Sequence, residues 1–426
     1  VDAFRRSVRV SLLFVLAVWL AAPLHASVWK VGGSGQTHPT IQAAVDASVD
    51  GDVILVQGGP CTLFTVDGKG ITIVADQAAP IDLQEGFVVR NVPAGKTFSV
   101  SGLRVLTLYH FGMWFQNCAG SIRAQDIQVV VSASAQGFEG VRVEQCADVA
   151  FERCTSNAAH GYTLAPGYAA FYVDQSTVAF HDCLATGGRG SDGGFSTGVP
   201  QDGAPGGPGL SVELSTVFLS KSSISGGAGG DGIDGPQSPP CYDFYNHPTA
   251  GGPGGNGIEV SGASALVRLL QTRPSGGPGG VGGSGCAGQW PSLGPGLPLY
   301  IYSGSVVALH DIARSISVPR PAREGSTLAF DLSGAPFDRA YLMLSLAPEN
   351  LFSSALNGVL LGAPPLRRVL LGTLDAAGTL HATLPVGELG PGVTHRLFHA
   401  QCLMVDTQGA SRAGGSAELL MLDSSY

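Results

Sequence analysis

The chain has 426 residues, of which 62 are Gly; 13% are charged, 44% are hydrophobic, and the formal net charge is -9. Glycine stands at about twice its usual share and charge at about half. This composition excludes a disordered polyelectrolyte, and without a basic run interleaved with aromatics it excludes nucleic acid as the expected partner.

The chain begins with a targeting pattern. Arg5, Arg6 and Arg9 precede an apolar stretch, residues 10–22, that is short for a membrane span. Small Ala26 follows, so residues 1–26 read as a signal peptide cleaved before Ser27. No later segment is long and apolar enough to span a bilayer, and the mature chain is expected to be secreted or held at the cell surface without membrane contact of its own. Eight cysteines behind such a signal favour disulfides. None has zinc-site spacing.

From Ser27 a short strand, 28–31, leads to a helix opened by Pro39-Thr40, with Ile41, Ala44, Val45 and Ala47 on one face. Gly51-Asp52 ends it, and residues 53–56 read as a buried strand. This segment resembles the N-terminal cap of right-handed parallel β-helix proteins of the pectin-lyase-like superfamily. The matching positions are Thr40, Ile41, Gln42, Ala44, Val45, Asp46, Ala47, Gly51, Asp52, Ile54 and Val56, while Gly59-Pro60-Cys61 replaces the usual tyrosine end. The resemblance implies a solenoid whose open apolar end is covered by the helix.

Strands are expected at 71–76, 87–92 and 98–108, and then a loose repeat sets in. MWFQNCAGSIRA, VRVEQCADVAFERC, FYVDQSTVAFHDC, LSVELSTVFLSKS, IEVSGASALVRL and LYIYSGSVVALHD each pair two alternating strands across a polar or small corner. Alternation places Val143, Val173, Val212 and Val260 inward. In this register Cys118 aligns with Cys146, and Cys154 with Cys183. Stacked positions about 4.8 Å apart suit either two disulfides or a ladder of free thiols. Cys241 and Cys286 lie in consecutive insertions and form the third candidate pair.

Three glycine-rich insertions interrupt the repeat at 187–209, 226–257 and 276–296. They lack the strict period of collagen, and their Gly-Gly-Pro runs favour polyproline-II-like segments held side by side. After Arg314 the texture changes to short alternating strands at 327–332, 340–346, 369–374, 381–384, 396–405 and 417–422, with turn signals between them, as in a β-sandwich. LSLAP, LGTLDAAGTL, LGPGV and HAQCLMVD resemble a C-terminal module of secreted proteins from environmental bacteria.

The chemistry is sparser. GGAGGDGID, 226–234, fits one calcium nonapeptide, making Asp192, Asp231 and Asp234 candidate calcium ligands, with Asn256 in the next loop. The nearest catalytic constellation is Asp174, His181, Asp182 and Arg189, beside Asp192 and with His160 one rung earlier; the alternative is solvated polar positions. Sequence signatures of polygalacturonases, serine hydrolases and zinc proteases are absent. Trp29, Trp114, Trp290, Tyr300 and Tyr302 could stack on sugar rings. Tyr242, Phe244 and Tyr245 form the most aromatic insertion and are candidate ligand-binding residues.

The expected architecture is all-β: a right-handed parallel β-helix solenoid over 27–314, with an N-terminal helical cap and glycine-rich insertions, then a C-terminal β-sandwich over 315–426. The expected function is a non-catalytic surface or extracellular module that binds polysaccharide or matrix components, or serves as a scaffold. The alternative is a polysaccharide lyase or glycoside hydrolase. No cofactor is expected apart from calcium.

Overall fold

The computed structural model describes residues 26–426 except 34, 60, 77–79, 108–110, 132–137, 197–198, 236–246, 287 and 319–320. Residues 1–25 of the expected signal peptide, Cys241, Tyr242, Phe244 and Tyr245 lie outside the described residues. The described chain is all-β apart from one helix, Ile41–Ala47. Its Thr40 N-cap hydroxyl accepts from the Ala43 amide, and Ile41, Ala44 and Val45 are buried against the first strands.

Three large parallel sheets run along the chain with a ten-, a seven- and an eight-stranded order, here sheets A, B and C. One turn of chain contributes one strand to each. Phe171–Asp174 joins sheet C, Thr177–His181 joins sheet A and Leu184–Thr186 joins sheet B. Each strand pairs in register with its counterpart one turn later, as Val173 does with Val212 and Phe180 with Leu219. This is the solenoid-like arrangement that the alternating repeat anticipates. The inward valines Val143, Val173, Val212 and Val260 are all at 0% exposure.

The corners explain why each repeat carries a polar pair between its strands. Asn117, Gln145, Gln175 and Leu214 turn the chain from sheet C to sheet A with φ between 46° and 55°. Asp126, Arg153, Asp182 and Lys221 do the same between sheets A and B. A left-handed residue costs about 1 kcal/mol without glycine, and stacked corners in every turn hold it in place. The interior is filled by a phenylalanine column. Phe64 and Phe87 stack at 4.9 Å, Phe87 meets Phe115 at 6.0 Å, and Phe151 touches Phe115, Phe171 and Phe180 at 5.9, 5.4 and 5.1 Å.

The cysteine ladder takes the free-thiol form. Cys118, Cys146, Cys154 and Cys183 are buried free thiols, so of the two outcomes left open for this register the candidate disulfides give way to the ladder. In-register parallel positions point the two Cβ atoms the same way at nearly strand spacing, wider than the typical separation in a disulfide. The thiols instead reach backbone carbonyls, Cys118 that of Gln116 and Cys146 that of Glu144, both at 3.3 Å. Cys286 is disulfide-bonded.

The glycine insertions leave the corner between sheets B and C and form a slab of extended segments, with short antiparallel pairs at Gly194–Ser196 with Val199–Gln201 and at Ser284–Gly285 with Gly288–Gln289. Amide-to-carbonyl bonds run across it in columns: Gly207 to Gly188, Gly227 to Gly207, Gly255 to Gly227 and Gly277 to Gly255, each 2.8 Å. In 226–232 and 251–257 two glycines face neighbouring segments and the third position, Ala228, Asp231, Pro253 or Asn256, is not glycine. This three-residue period is that of polyproline-II chains.

Beyond residue 314 a three-stranded and a five-stranded sheet follow, the latter built on the long strands His395–Val405 and Ser411–Leu422. Phe330, Leu332, Leu342, Cys402, Met404 and Leu419 share their core. A hairpin missed in the sequence, Pro348–Ser353 with Gly358–Gly362, sets Val359 and Leu361 on Ala150, Ala179 and Phe218 of sheet A.

Sheet A therefore carries this region on its outer face, with buried charge between them. Glu152 accepts from the Ser416 amide at 2.9 Å and its hydroxyl at 2.7 Å. Burial pushes its carboxyl up to about 7, against the pull of Ser416 and of Arg153 and Arg123. A raised carboxyl contributes stability that is full below its unfolded value of 4.5 and lost as pH rises through 7. Glu152→Gln keeps an acceptor for Ser416 without the charge. Its stability advantage over the parent is expected to grow by about 3 kcal/mol between about pH 5 and about pH 8. Thermal midpoints of the two chains across that range check this; parallel profiles would refute it. Neighbouring His181, pushed down to about 4 by burial, acts in the opposite direction in both chains and cancels from the comparison.

Candidate functional site

The outer face of sheet C is built from the positions that alternate with the inward valines. One column runs Trp114, Arg142, Tyr172, Ser211, Glu259, Tyr300 on successive turns. The neighbouring column runs Gln116, Glu144, Asp174, Glu213, Ser261. At about 4.8 Å per turn, the face from Trp114 to Tyr300 is about 24 Å long.

Its centre is tied together by charge and ring contacts. Arg142 lies over the Tyr172 ring at 5.0 Å and the Trp114 ring at 6.0 Å. It donates to Glu144 Oε1 at 2.6 Å, while Trp114 Nε1 donates to Glu144 Oε2 at 2.9 Å. Tyr172 Oη donates to Glu213 Oε2 at 3.0 Å. Burial pushes the Tyr172 phenol up, and Glu213 adds to it; the Glu144 hydrogen bond raises the Arg142 guanidinium despite partial burial. Phe111 extends the cluster, 4.9 Å from Trp114. Asp174 Oδ1 and Arg142 Nε are buried without a hydrogen-bond partner.

A shallow concavity of about 530 Å³ borders this face at the corner with sheet A, lined by Asn117, Gln145, Gln175 and Thr177 among others. The arrangement offers rigid ring faces, a row of carboxylates and a border of amides. Such groups can stack on sugar rings and hydrogen-bond their hydroxyls. Of these residues the sequence reading had singled out Trp114, Tyr300 and Asp174. It passed over Arg142, Tyr172, Glu144 and Glu213, although they occupy the same positions of the aligned repeat.

The four catalytic candidates are dispersed. Asp174 faces outward on sheet C. His181 is on sheet A, buried beneath the C-terminal region, with neither ring nitrogen hydrogen-bonded. Asp182 is a corner residue held by Lys221 Nζ at 3.1 Å. Arg189 is in the first insertion. His160 is held below its ordinary value by burial and by the Arg189 charge.

Two of the three candidate calcium ligands, Asp192 and Asp231, meet on a side chain of this protein. Arg189 sits between Asp192 at 2.6 Å and Asp231 at 2.8 Å, where a shared cation would be held. Both carboxylates also accept an amide from the following segment, Asp192 from Asp231 at 2.9 Å and Asp231 from Val281 at 2.8 Å. Partial burial acts to raise Asp192, but Arg189 and the Asp231 amide outweigh it and hold it below its ordinary value. Asp234 accepts from the Ser284 amide at 2.7 Å, which lowers it, and Asn256 accepts from Leu297 at 2.8 Å. The acidic and amide side chains thus serve the slab as acceptors for amides at its non-glycine positions. Among the described residues, no three His, Cys, Asp or Glu side chains group in a way that could hold a metal ion, and no helix is long and apolar enough to cross a membrane.

No known protein family matches the chain, and no curated protein matches it. Several solved structures show weak likeness, three of which follow. A superoxide reductase (neelaredoxin) from Ignicoccus hospitalis is 10% identical over 26% of this chain and 80% of its own, with a TM-score of 0.15. A cohesin module from a Clostridium perfringens family 33 glycoside hydrolase is 13% identical over 26% and 98%, with a TM-score of 0.15. ORF18 of Geobacillus virus E2 is 10% identical over 88% and 82%, with a TM-score of 0.20. At TM-scores this low, the likenesses imply neither a family nor an activity.

Proposed function

We propose that this chain is an exported, non-catalytic glycan-binding protein that uses the outer face of sheet C. In this reading residues 27–314 form a right-handed parallel β-helix of the pectin-lyase-like kind, capped by the Ile41–Ala47 helix, and residues 315–426 form a sandwich that buttresses sheet A. The observation that carries the proposal is the succession Trp114, Arg142, Tyr172 on three adjacent turns, locked by Glu144 and Glu213. Rings held in place this way lose little freedom on binding.

The charge of the face selects the ligand class. Glu139 and Glu144 flank Arg142, and Asp174, Glu213 and Glu259 follow along the same face, so the face suits uncharged sugars and repels uronates. The engaged carboxylates support the non-catalytic reading, since a glycosidase needs a pair free to donate or attack. The test is calorimetric titration with cellohexaose, xylohexaose, mannohexaose and an oligogalacturonate. At least one neutral oligosaccharide is expected to bind, and Trp114→Ala to weaken it about tenfold or more. Preference for the uronate, or affinity indifferent to Trp114, would overturn the proposal.

The second reading, a glycoside hydrolase, rests on Asp174. Its unpartnered Oδ1 lies one turn from both Glu144 and Glu213, near the spacing of a retaining carboxylate pair. Release of reducing sugar that disappears in Asp174→Asn would favour it.

A further inference from the structure

The last turn of the solenoid is open. Leu299 and Ile301 continue the inward column of Ile258 and Val260, and Val306 and Ala308 continue that of Val267 and Leu269. Ile258, Val260 and Val267 are at 0% exposure, yet Ile301 is at 45%, because no further turn covers it. Sheet C ends on Leu299–Ile301 and sheet A on Ser305–Leu309, each with one edge unpaired. The last segment of the glycine slab lies beside them and presents Trp290, Leu293 and Leu297, at 37, 44 and 50% exposure. At the opposite end the Ile41–Ala47 helix packs on the first strands. Here the chain leaves toward sheet A, and the C-terminal sheets pack along that sheet.

Natural proteins protect such an edge with charges, bulges or a covering element. The last strands of sheets C and A and the segment before them are uncharged: residues 274–310 contain no Asp, Glu, Lys or Arg, in a chain that is 13% charged, and the nearest cation on the terminal edges is Arg273 on sheet B. The uncharged strands Leu299–Ile301 and Ser305–Leu309 meet copies of themselves without like-charge repulsion. A twofold axis across the solenoid would lay Ser305–Leu309 antiparallel to its copy, centred on Val307, an allowed pairing for an edge strand. We infer that two copies of this chain join end to end through the open turn, with the Ser305–Leu309 edges paired and Ile301 and Val307 buried. The resulting dimer carries its two sheet C faces on one continuous body, but the inference does not depend on what they bind.

Sedimentation equilibrium of the full chain across the micromolar range tests this. The parent is expected to sediment as two chains and Val307→Lys as one, a twofold loss of mass. Val49→Lys, at an exposed position near the opposite end, should stay dimeric. Val307→Cys supplies a readout that survives any folding defect in the lysine variant. The described free cysteines are buried, so mild oxidation of Val307→Cys should give a dimer cross-linked through that position alone. A parent that sediments as a single chain throughout, a dimer unaffected by Val307→Lys, or no cross-link in Val307→Cys would each overturn the inference.

Discussion

Gly230→Ala is expected to break the glycine slab, with a loss of about 3 kcal/mol or more. Gly230 donates its amide to Ala204 and accepts from Gly252, at 2.8 and 2.7 Å. A Cβ there would stand 1.8 Å from the Ser191 carbonyl oxygen, a backbone atom that cannot rotate away. The slab would have to open by more than an ångström, and both hydrogen bonds would go with it. Backbone freedom is not the reason for this glycine, whose φ is not positive; close approach of three chains is. Gly294→Ala is the matched control, since a Cβ there meets nothing within 4 Å. It is expected to be neutral or slightly stabilising. Thermal midpoints and limited proteolysis within 226–257 distinguish the two; equal behaviour of both variants would refute the packing account.

Phe151→Ala is the second large effect, with an expected loss of about 3 to 5 kcal/mol. Phe151 is at 0% exposure and its ring touches three others on two neighbouring turns. Alanine leaves a cavity between Phe115, Phe171 and Phe180 that in-register sheets cannot collapse to fill. In a solenoid each turn contacts mainly its neighbours, so the weakening should be local. Hydrogen exchange should rise first in Met113–Gln116 and Thr177–His181 and leave the C-terminal strands protected. Phe195→Ala, at 55% exposure, should cost less than about 0.5 kcal/mol. Chemical denaturation of the two variants provides the comparison.

The fold was legible where side chains alternate. A period of two with valine inward fixes both the strand and its face, and Val143, Val173 and Val212 needed nothing more. The strands at 28–31 and 53–56 and the helix between them could be read for the same reason, apolar period and end signals in a short span. Most of the C-terminal strands were placed to within a few residues, but Ser411–Leu422 begins well before the expected 417, and the hairpin of Pro348–Ser353 with Gly358–Gly362 was missed. Its second strand is buried on both sides, so it does not alternate, and it rests on sheet A rather than in its own sheet. The thiol ladder was legible as a register but not as a redox state, because stacking distance alone fits both outcomes.

The candidate site was harder to see for a different reason. Attention to the inward column of MWFQN, VRVEQ and FYVDQ leaves the outward one unread, and Trp, Arg and Tyr share no residue class. Only when the turns are stacked do they meet, with Glu144 held by both Trp114 and Arg142. The calcium motif shows the converse. GGAGGDGID has the letters of an ion site, yet the slab brings Arg189 from another segment between Asp192 and Asp231.

The most direct test of the glycan-binding account is hydrogen exchange of the full chain with and without saturating neutral hexasaccharide, cellohexaose or whichever of the three binds tightest. Protection confined to Met113–Gln116, Val141–Glu144, Phe171–Asp174 and Leu210–Glu213 is the predicted result. Protection confined to the glycine slab or the C-terminal strands, or none anywhere with a bound sugar, would contradict it.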